Sequence, residues 1–151
     1  MPKGIEGLEI WQRSVSFVER IYKEVLPLLP AEEKWAMTNQ LRRASQSVPA
    51  NIAEGYGRFY FQEGVRFCYI ARGSLEEVYS HLVLARKLGY ISEELSKSLI
   101  VEMELLRKLI NGYMAFLKRS KQGENEPGSQ YQVSESRAEY DFGSDANDVP
   151  N

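Results

Sequence analysis

The chain is short of the residues that most active-site chemistry uses. It has one cysteine, Cys68, and one histidine, His81. A single cysteine excludes an intrachain disulfide and fits a reducing cytosol. It also excludes a cysteine-based zinc site within one chain. The three aspartates, Asp141, Asp145 and Asp148, all lie near the C-terminus. The body before them therefore has no Ser-His-Asp triad. A di-iron site in a helix bundle needs Glu-x-x-His on two helices plus two more glutamates. Here Glu77 and His81 stand four apart and there is no second histidine. Cys68 and His81 fall on mismatched faces of a helix, which argues against a nucleophilic pair. Gly55-Tyr56-Gly57 lacks the further glycine and the preceding strand of a phosphate-binding loop. A Glu54/Glu77 carboxylate pair is the one acid–base candidate left, and ion pairing to Arg43 is its commoner fate. The expectation is a protein that is not an enzyme, with no catalytic residue, metal, cofactor or small-molecule substrate.

Long apolar runs are missing too. None is long enough to span a bilayer, and Met1 to Glu6 has no signal-peptide layout. A cytoplasmic protein with no membrane partner is expected. Net charge is only −2, but it is unevenly spread. Residues 1–121 carry 18 Lys and Arg against 14 Asp and Glu, whereas residues 122–151 carry 1 Arg against 7 acids. The body is modestly basic, weakly compatible with an anionic partner, and far from a composition that makes nucleic-acid binding follow from charge alone.

Apolar spacing predicts four helices. In the first, Leu8, Trp11, Val15, Val18, Tyr22, Val25 and Leu29 step by three and four, and Pro27 and Pro30 end it. The second is expected from Ala31 to about Glu54, with Glu32 and Glu33 in its first turn, Pro49 kinking it and Gly55-Tyr56-Gly57 turning the chain. Met37, Leu41, Ala44, Val48 and Ile52 form its apolar arc. The third runs from about Phe61 to Leu88 on Val65, Cys68, Ala71, Leu75, Val78, Leu82 and Ala85, with Gly89 as its cap. Ser92 opens the fourth, which continues on Leu95, Leu99, Leu106, Leu109, Tyr113 and Leu117 to about Arg119. Short connections between long helices predict an all-α, up-down-up-down antiparallel four-helix bundle over residues 1–121. Residues 122–151 are dominated by Gly, Ser, Asn and acids and read as a disordered acidic tail. The tail is expected to screen the basic body and to be dispensable for folding. Its isolated Tyr131, Tyr140 and Phe142 leave two readings open, a docking segment or a passive solubilising tail.

The second helix carries one more pattern. Gln40, Arg43, Ser47, Asn51, Glu54 and Arg58 fall on an arc about 80° wide beside the apolar one. Short hydrogen-bonding side chains next to a core want defined partners. With Ser74 and Glu77 of the third helix they form a candidate polar network of Gln40, Arg43, Ser47, Asn51, Glu54, Ser74 and Glu77, either inside the bundle or at a subunit seam. His81 lies on the same side as Ser74 and Glu77 and reads as a packing residue. Phe59, Tyr60, Phe61, Phe67 and Tyr69 interleave with Arg58, Arg66 and Arg72. This composition suits RNA stacking, and a subunit interface favours the same residue types. Arg42, Arg43, Arg58, Arg66 and Arg72 are the candidate nucleic-acid contacts.

Gln40-Leu41-Arg42-Arg43-Ala44, then Ser47-Val48-Pro49-Ala50-Asn51-Ile52-Ala53-Glu54-Gly55 and Gly57-Arg58, resembles the 23S rRNA intervening-sequence protein family. Phe67-Cys68-Tyr69-Ile70-Ala71-Arg72-Gly73-Ser74-Leu75-Glu76-Glu77 and the opening Leu8-Glu9-Ile10-Trp11 resemble it as well. The resemblance covers roughly residues 5–119. It implies a small bacterial four-helix-bundle protein that forms a closed ring with copies of itself, typically a homopentamer, with no enzymatic activity. A distant relative, the accessory protein of diversity-generating retroelements, partners a reverse transcriptase and nucleic acid, but is much more basic than this body. Two functions of different class follow as expectations: an RNA- or ribonucleoprotein-associated binding module, or a protein–protein scaffold without nucleic-acid contact.

Overall fold

Four helices account for most of the computed structural model, which describes residues 4–125. Helix α1 spans Glu9–Arg20 and passes through a π-helical turn at Ile21–Val25 and a 3-10 turn at Leu26–Leu28. The chain is extended at Leu29 and Pro30, where proline cannot continue a helix. This helix turns a different face inward from the one its sequence suggests. Ile10, Ser14, Phe17, Ile21 and Val25 are buried. Of the expected seam only Val25 is buried, while Leu8, Trp11 and Leu29 pack at the margin of the core and Val15, Val18 and Tyr22 are half-exposed. The reason is that α1 has two apolar stripes. Ile10, Phe17, Ile21 and Val25 have no polar atoms to satisfy and go inside, whereas Trp11 and Tyr22 carry an N–H and an O–H that favour the margin; the buried Ser14 hydroxyl satisfies itself on the Trp11 carbonyl at 2.8 Å.

Helix α2 begins later than expected, at Met37, and ends later, at Arg58. Ala31–Glu33 is a separate 3-10 turn. Glu33 stands before the helix rather than inside it, and its Oε2 accepts the Met37 N–H at 3.1 Å. That side chain does the work of a cap on an otherwise orphaned donor. At the far end, Gly55-Tyr56-Gly57 stays helical and Phe59 makes the turn, with φ of 64°. The non-glycine strain there is held by Gln122, whose amide donates to the Phe59 carbonyl while its own carbonyl accepts the Phe61 N–H, both at 3.0 Å. Gly55 has another use. A Cβ at that position would stand 3.0 Å from Phe67 Cβ and 3.1 Å from Gly64 Cα, so its absence lets α2 and α3 touch backbone to backbone.

Helix α3, Phe61–Lys87, buries all seven apolar residues of its expected stripe. Gly89, with φ of 79°, follows its C-terminus. Helix α4 spans Glu93–Ser120, and Ser92 Oγ accepts the Leu95 N–H at 3.1 Å as an N-cap. Leu99, Leu106 and Leu117 are buried with Met103, Ile110 and Met114, while Leu95, Leu109 and Tyr113 flank them. Each helix packs on the next and α4 returns onto α1. The cross-helix pairs run in opposite senses: Arg43 with Glu77 and Gly55 beside Gly64, then Arg72 with Asn111 and Glu76 with Arg107. This is compatible with an up-down-up-down bundle. The described residues contain no strand. The chain beyond Asn125, and with it most of the expected tail, lies outside the described residues.

Candidate functional site

Three features occupy the outside of the bundle. The first is the polar stripe of α2, which lies against α3. Arg43 donates to both oxygens of Glu77 at 2.8 and 3.0 Å and to Gln40 Oε1 at 2.8 Å. One turn along, Ser74 Oγ donates to Ser47 Oγ at 2.8 Å, and Asn51 Nδ2 donates to the Ser47 hydroxyl and carbonyl, both at 2.8 Å. The seven expected members thus divide into two clusters, and Glu54 belongs to neither, because it pairs with Arg58 on its own helix at 3.2 Å. The stripe is a seam on the surface: the Arg43 and Glu77 side chains are 58% and 40% exposed. Ion pairs this wet are worth at most about 1 kcal/mol, so the seam sets the register of α2 on α3 more than it holds them together. His81 lies farther down the same side, in a shallow recess with Met37, Gln40, Leu84 and Leu88.

The second feature is a pair of arginine–aromatic clusters on the two flanks of α3: Phe67 faces α2 and Tyr69, two residues on, faces α4. The guanidiniums of Arg58 and Arg66 stand 4.9 and 5.5 Å from the Phe67 ring, and Arg72 and Lys118 stand 4.9 and 5.9 Å from the Tyr69 ring. Two rings therefore hold four cations. Arg58 and Arg66 also reach Glu63, each at 3.5 Å. Arg72 donates to Asn111 at 2.8 Å, and among the described residues neither Arg72 nor Lys118 meets a carboxylate. Of the five candidate arginines the structure brings Arg58 and Arg66 together at Phe67 and places Arg72 on the flank of α3 that faces α4. It places Arg43 in the polar seam and Arg42 over the Tyr22 ring at 5.6 Å, on another side of the molecule. Lys118 was not legible as a member, since α4 brings it back to α3 from far along the chain.

The third feature is an open apolar groove of about 590 Å³ between α1 and α2. Trp11, Val15, Val18 and Tyr22 form one wall, and Pro49, Ala50 and Ala53 form the other. Glu19 and Lys23 pair with each other at its rim at 3.4 Å, and the Gln46 amide donates to the Tyr22 hydroxyl. These are the α1 residues whose spacing suggests core. The signal that tells them apart is the presence of Ile10, Phe17 and Ile21 as a second stripe on the same helix.

No group of metal-ligating side chains occurs among the described residues. Cys68 is buried, and the loss of water around its sulfur pushes the thiol up to about 12, which makes it a packing group rather than a nucleophile. No helix among the described residues is long and apolar enough to cross a membrane.

The sequence profile described as 23S rRNA-intervening sequence protein matches residues 6–112. The chain belongs to that family. The matched span holds the polar seam, the groove and the clustered arginines of α2 and α3, and it stops short of Lys118. No curated protein matches the chain. A solved structure with the same fold is a protein of unknown function from the S23 ribosomal protein family of Bacteroides thetaiotaomicron. It is 24% identical over 70% of this chain and 97% of that one, with a TM-score of 0.63.

Proposed function

We propose that this family member is a cytoplasmic, non-enzymatic binding module that assembles with copies of itself and associates with RNA or a ribonucleoprotein. The observation that carries the nucleic-acid half is the pair of clusters that set four cations against two aromatic rings toward one end of the bundle. Arg58, Arg66 and Arg72 donate to Glu54, Glu63 and Asn111, partners that a phosphate could share or replace, and rings of this kind are what a base stacks on. The family description, which names an rRNA insertion, agrees with such a partner. The assembly half is supported by the α1/α2 groove, an apolar surface with its rim charges already paired, of the kind that a second copy covers. A closed ring, a homopentamer by the family resemblance, would repeat these modest clusters around an axis and so add up weak contacts.

A fluorescent single-stranded RNA and the full chain test the nucleic-acid half. Binding should weaken steeply with salt, and Arg72→Gln with Lys118→Gln should flatten that slope while leaving the fold intact, since no described carboxylate depends on either cation. Light scattering tests the other half: Val15→Asp with Val18→Asp should release monomers. The groove also favours a second reading, a protein–protein scaffold without nucleic-acid contact. Assembly with no RNA binding at low salt would select it.

A further inference from the structure

We infer that the cluster of Arg72 and Lys118 on the Tyr69 ring, between α3 and α4, is the docking surface of the chain's own acidic C-terminal segment, residues 139–148. Three observations lead there. Basic residues gather at one end of the bundle: Arg58 pairs with Glu54 and Glu63 and Arg66 with Glu63, while Arg72 and Lys118 stand on the Tyr69 ring and Arg119 and Lys121 follow at the end of α4. The described chain ends at that same place: Gln122 is bonded to Phe59 and Phe61, and Gly123 lies against Tyr60. The residues that follow carry the opposite charge and the same kind of ring, with Glu139, Asp141, Asp145 and Asp148 around Tyr140 and Phe142.

The lengths agree as well. From Phe61, which is bonded to Gln122, to Arg72 is about 16 Å along α3 at the helical rise. The thirteen residues between Asn125 and Glu139 are ample to reach that cluster. A tether this short gives a local concentration on the order of millimolar, so even weak contacts hold the segment to its own subunit. Carboxylates of the segment meet Arg72 and Lys118, and its rings add to the Tyr69 cluster. The segment then occupies the cations that would otherwise meet phosphate, and RNA has to displace it. That last consequence rests on the nucleic-acid reading above; the docking itself does not.

Zero-length carbodiimide coupling of the full chain, read by mass spectrometry, tests the docking. Peptides joining Lys118 to Glu139, Asp141 or Asp145 should dominate. They should fall several-fold in about 0.5 M salt, where charges are screened beyond a few ångströms, and also in Arg72→Glu and in Tyr140→Ser with Phe142→Ser. Coupling spread evenly over distant lysines such as Lys23, Lys87 and Lys97, or unchanged by these substitutions, would overturn the proposal. Assemblies made from heavy- and normal-isotope chains give a further control, because mixed joined peptides would assign the segment to a neighbouring copy and refute docking on its own subunit. RNA titration separates the two readings: the Tyr140→Ser, Phe142→Ser chain should bind several-fold tighter than the parent. Coupling at Lys118 without any RNA binding would keep the docking and sink the RNA reading alone.

Discussion

Helices α1 and α3 are both amphipathic, yet only α3 buries the stripe that its sequence announces. Helix α3 has one continuous apolar row, Val65 to Ala85, and its other large apolar residues, Phe67, Tyr69, Ile70, Tyr79 and Leu84, are scattered among charged ones, so the row sets how it turns against the core. Helix α1 has two rows about a hundred degrees apart. Ile10, Phe17 and Ile21 go inside, and Trp11, Val15, Val18 and Tyr22 are left along an open groove. A helix with one apolar face builds the bundle, whereas a helix with two builds the bundle and leaves a contact surface. The largest expected effect tests that division directly. Phe17→Ala should cost about 3–5 kcal/mol in urea unfolding, because Phe17 is 0% exposed and its removal opens a cavity. Val15→Ser, one stripe away, should cost less than about 1 kcal/mol once assembly is accounted for, and should act on assembly instead. Equal losses at the two positions would erase the comparison.

A smaller effect is expected where α2 meets α3. Gly55→Ala should destabilise by about 1–3 kcal/mol, since the new methyl meets Phe67 and the Gly64 backbone, neither of which is the far end of a flexible side chain. Gly57→Ala, with nothing within 4 Å, should be neutral or slightly stabilising. Thermal melts of the two variants check this pair. The smallest effect appears only in alkali. Burial raises the Cys68 thiol from 9.0 to about 12. A group whose folded value is raised contributes stability that is complete below its unfolded value and is lost as pH rises toward the folded one. Stability should therefore decline from about pH 9 upward, and Cys68→Ala should make that decline shallower.

Much of the fold was legible because local signals agreed with packing. The apolar arcs of α2 and α3, the Ser92 cap and the Gly89 stop need no information from distant parts of the chain. The start of α2 was misread because Glu32 and Glu33 look like first-turn acids, while Glu33 in fact caps Met37 from outside the helix. The end of α2 was misread because Gly55 looks like a turn residue, and only the approach of Gly64 and Phe67 shows that it is there for clearance. The polar stripe was legible in six of its seven members, Glu54 excepted, but not in its depth. Alternation along one helix cannot say whether a partner helix closes over Arg43 and Glu77 or leaves them wet.

The sequence by itself determined the helical class, the core faces of α2 and α3, and the poverty of catalytic and metal-binding groups, because these depend on residue types and short-range periodicity. It also determined the charge asymmetry between body and tail. Only the tertiary structure decided which stripe of α1 is buried, that Arg72 and Lys118 share the Tyr69 ring, and that the chain emerges beside the basic end of the bundle. These depend on how helices rotate and on which residues far apart in the chain are brought face to face. Packing settles both, and no window of neighbouring residues contains that information.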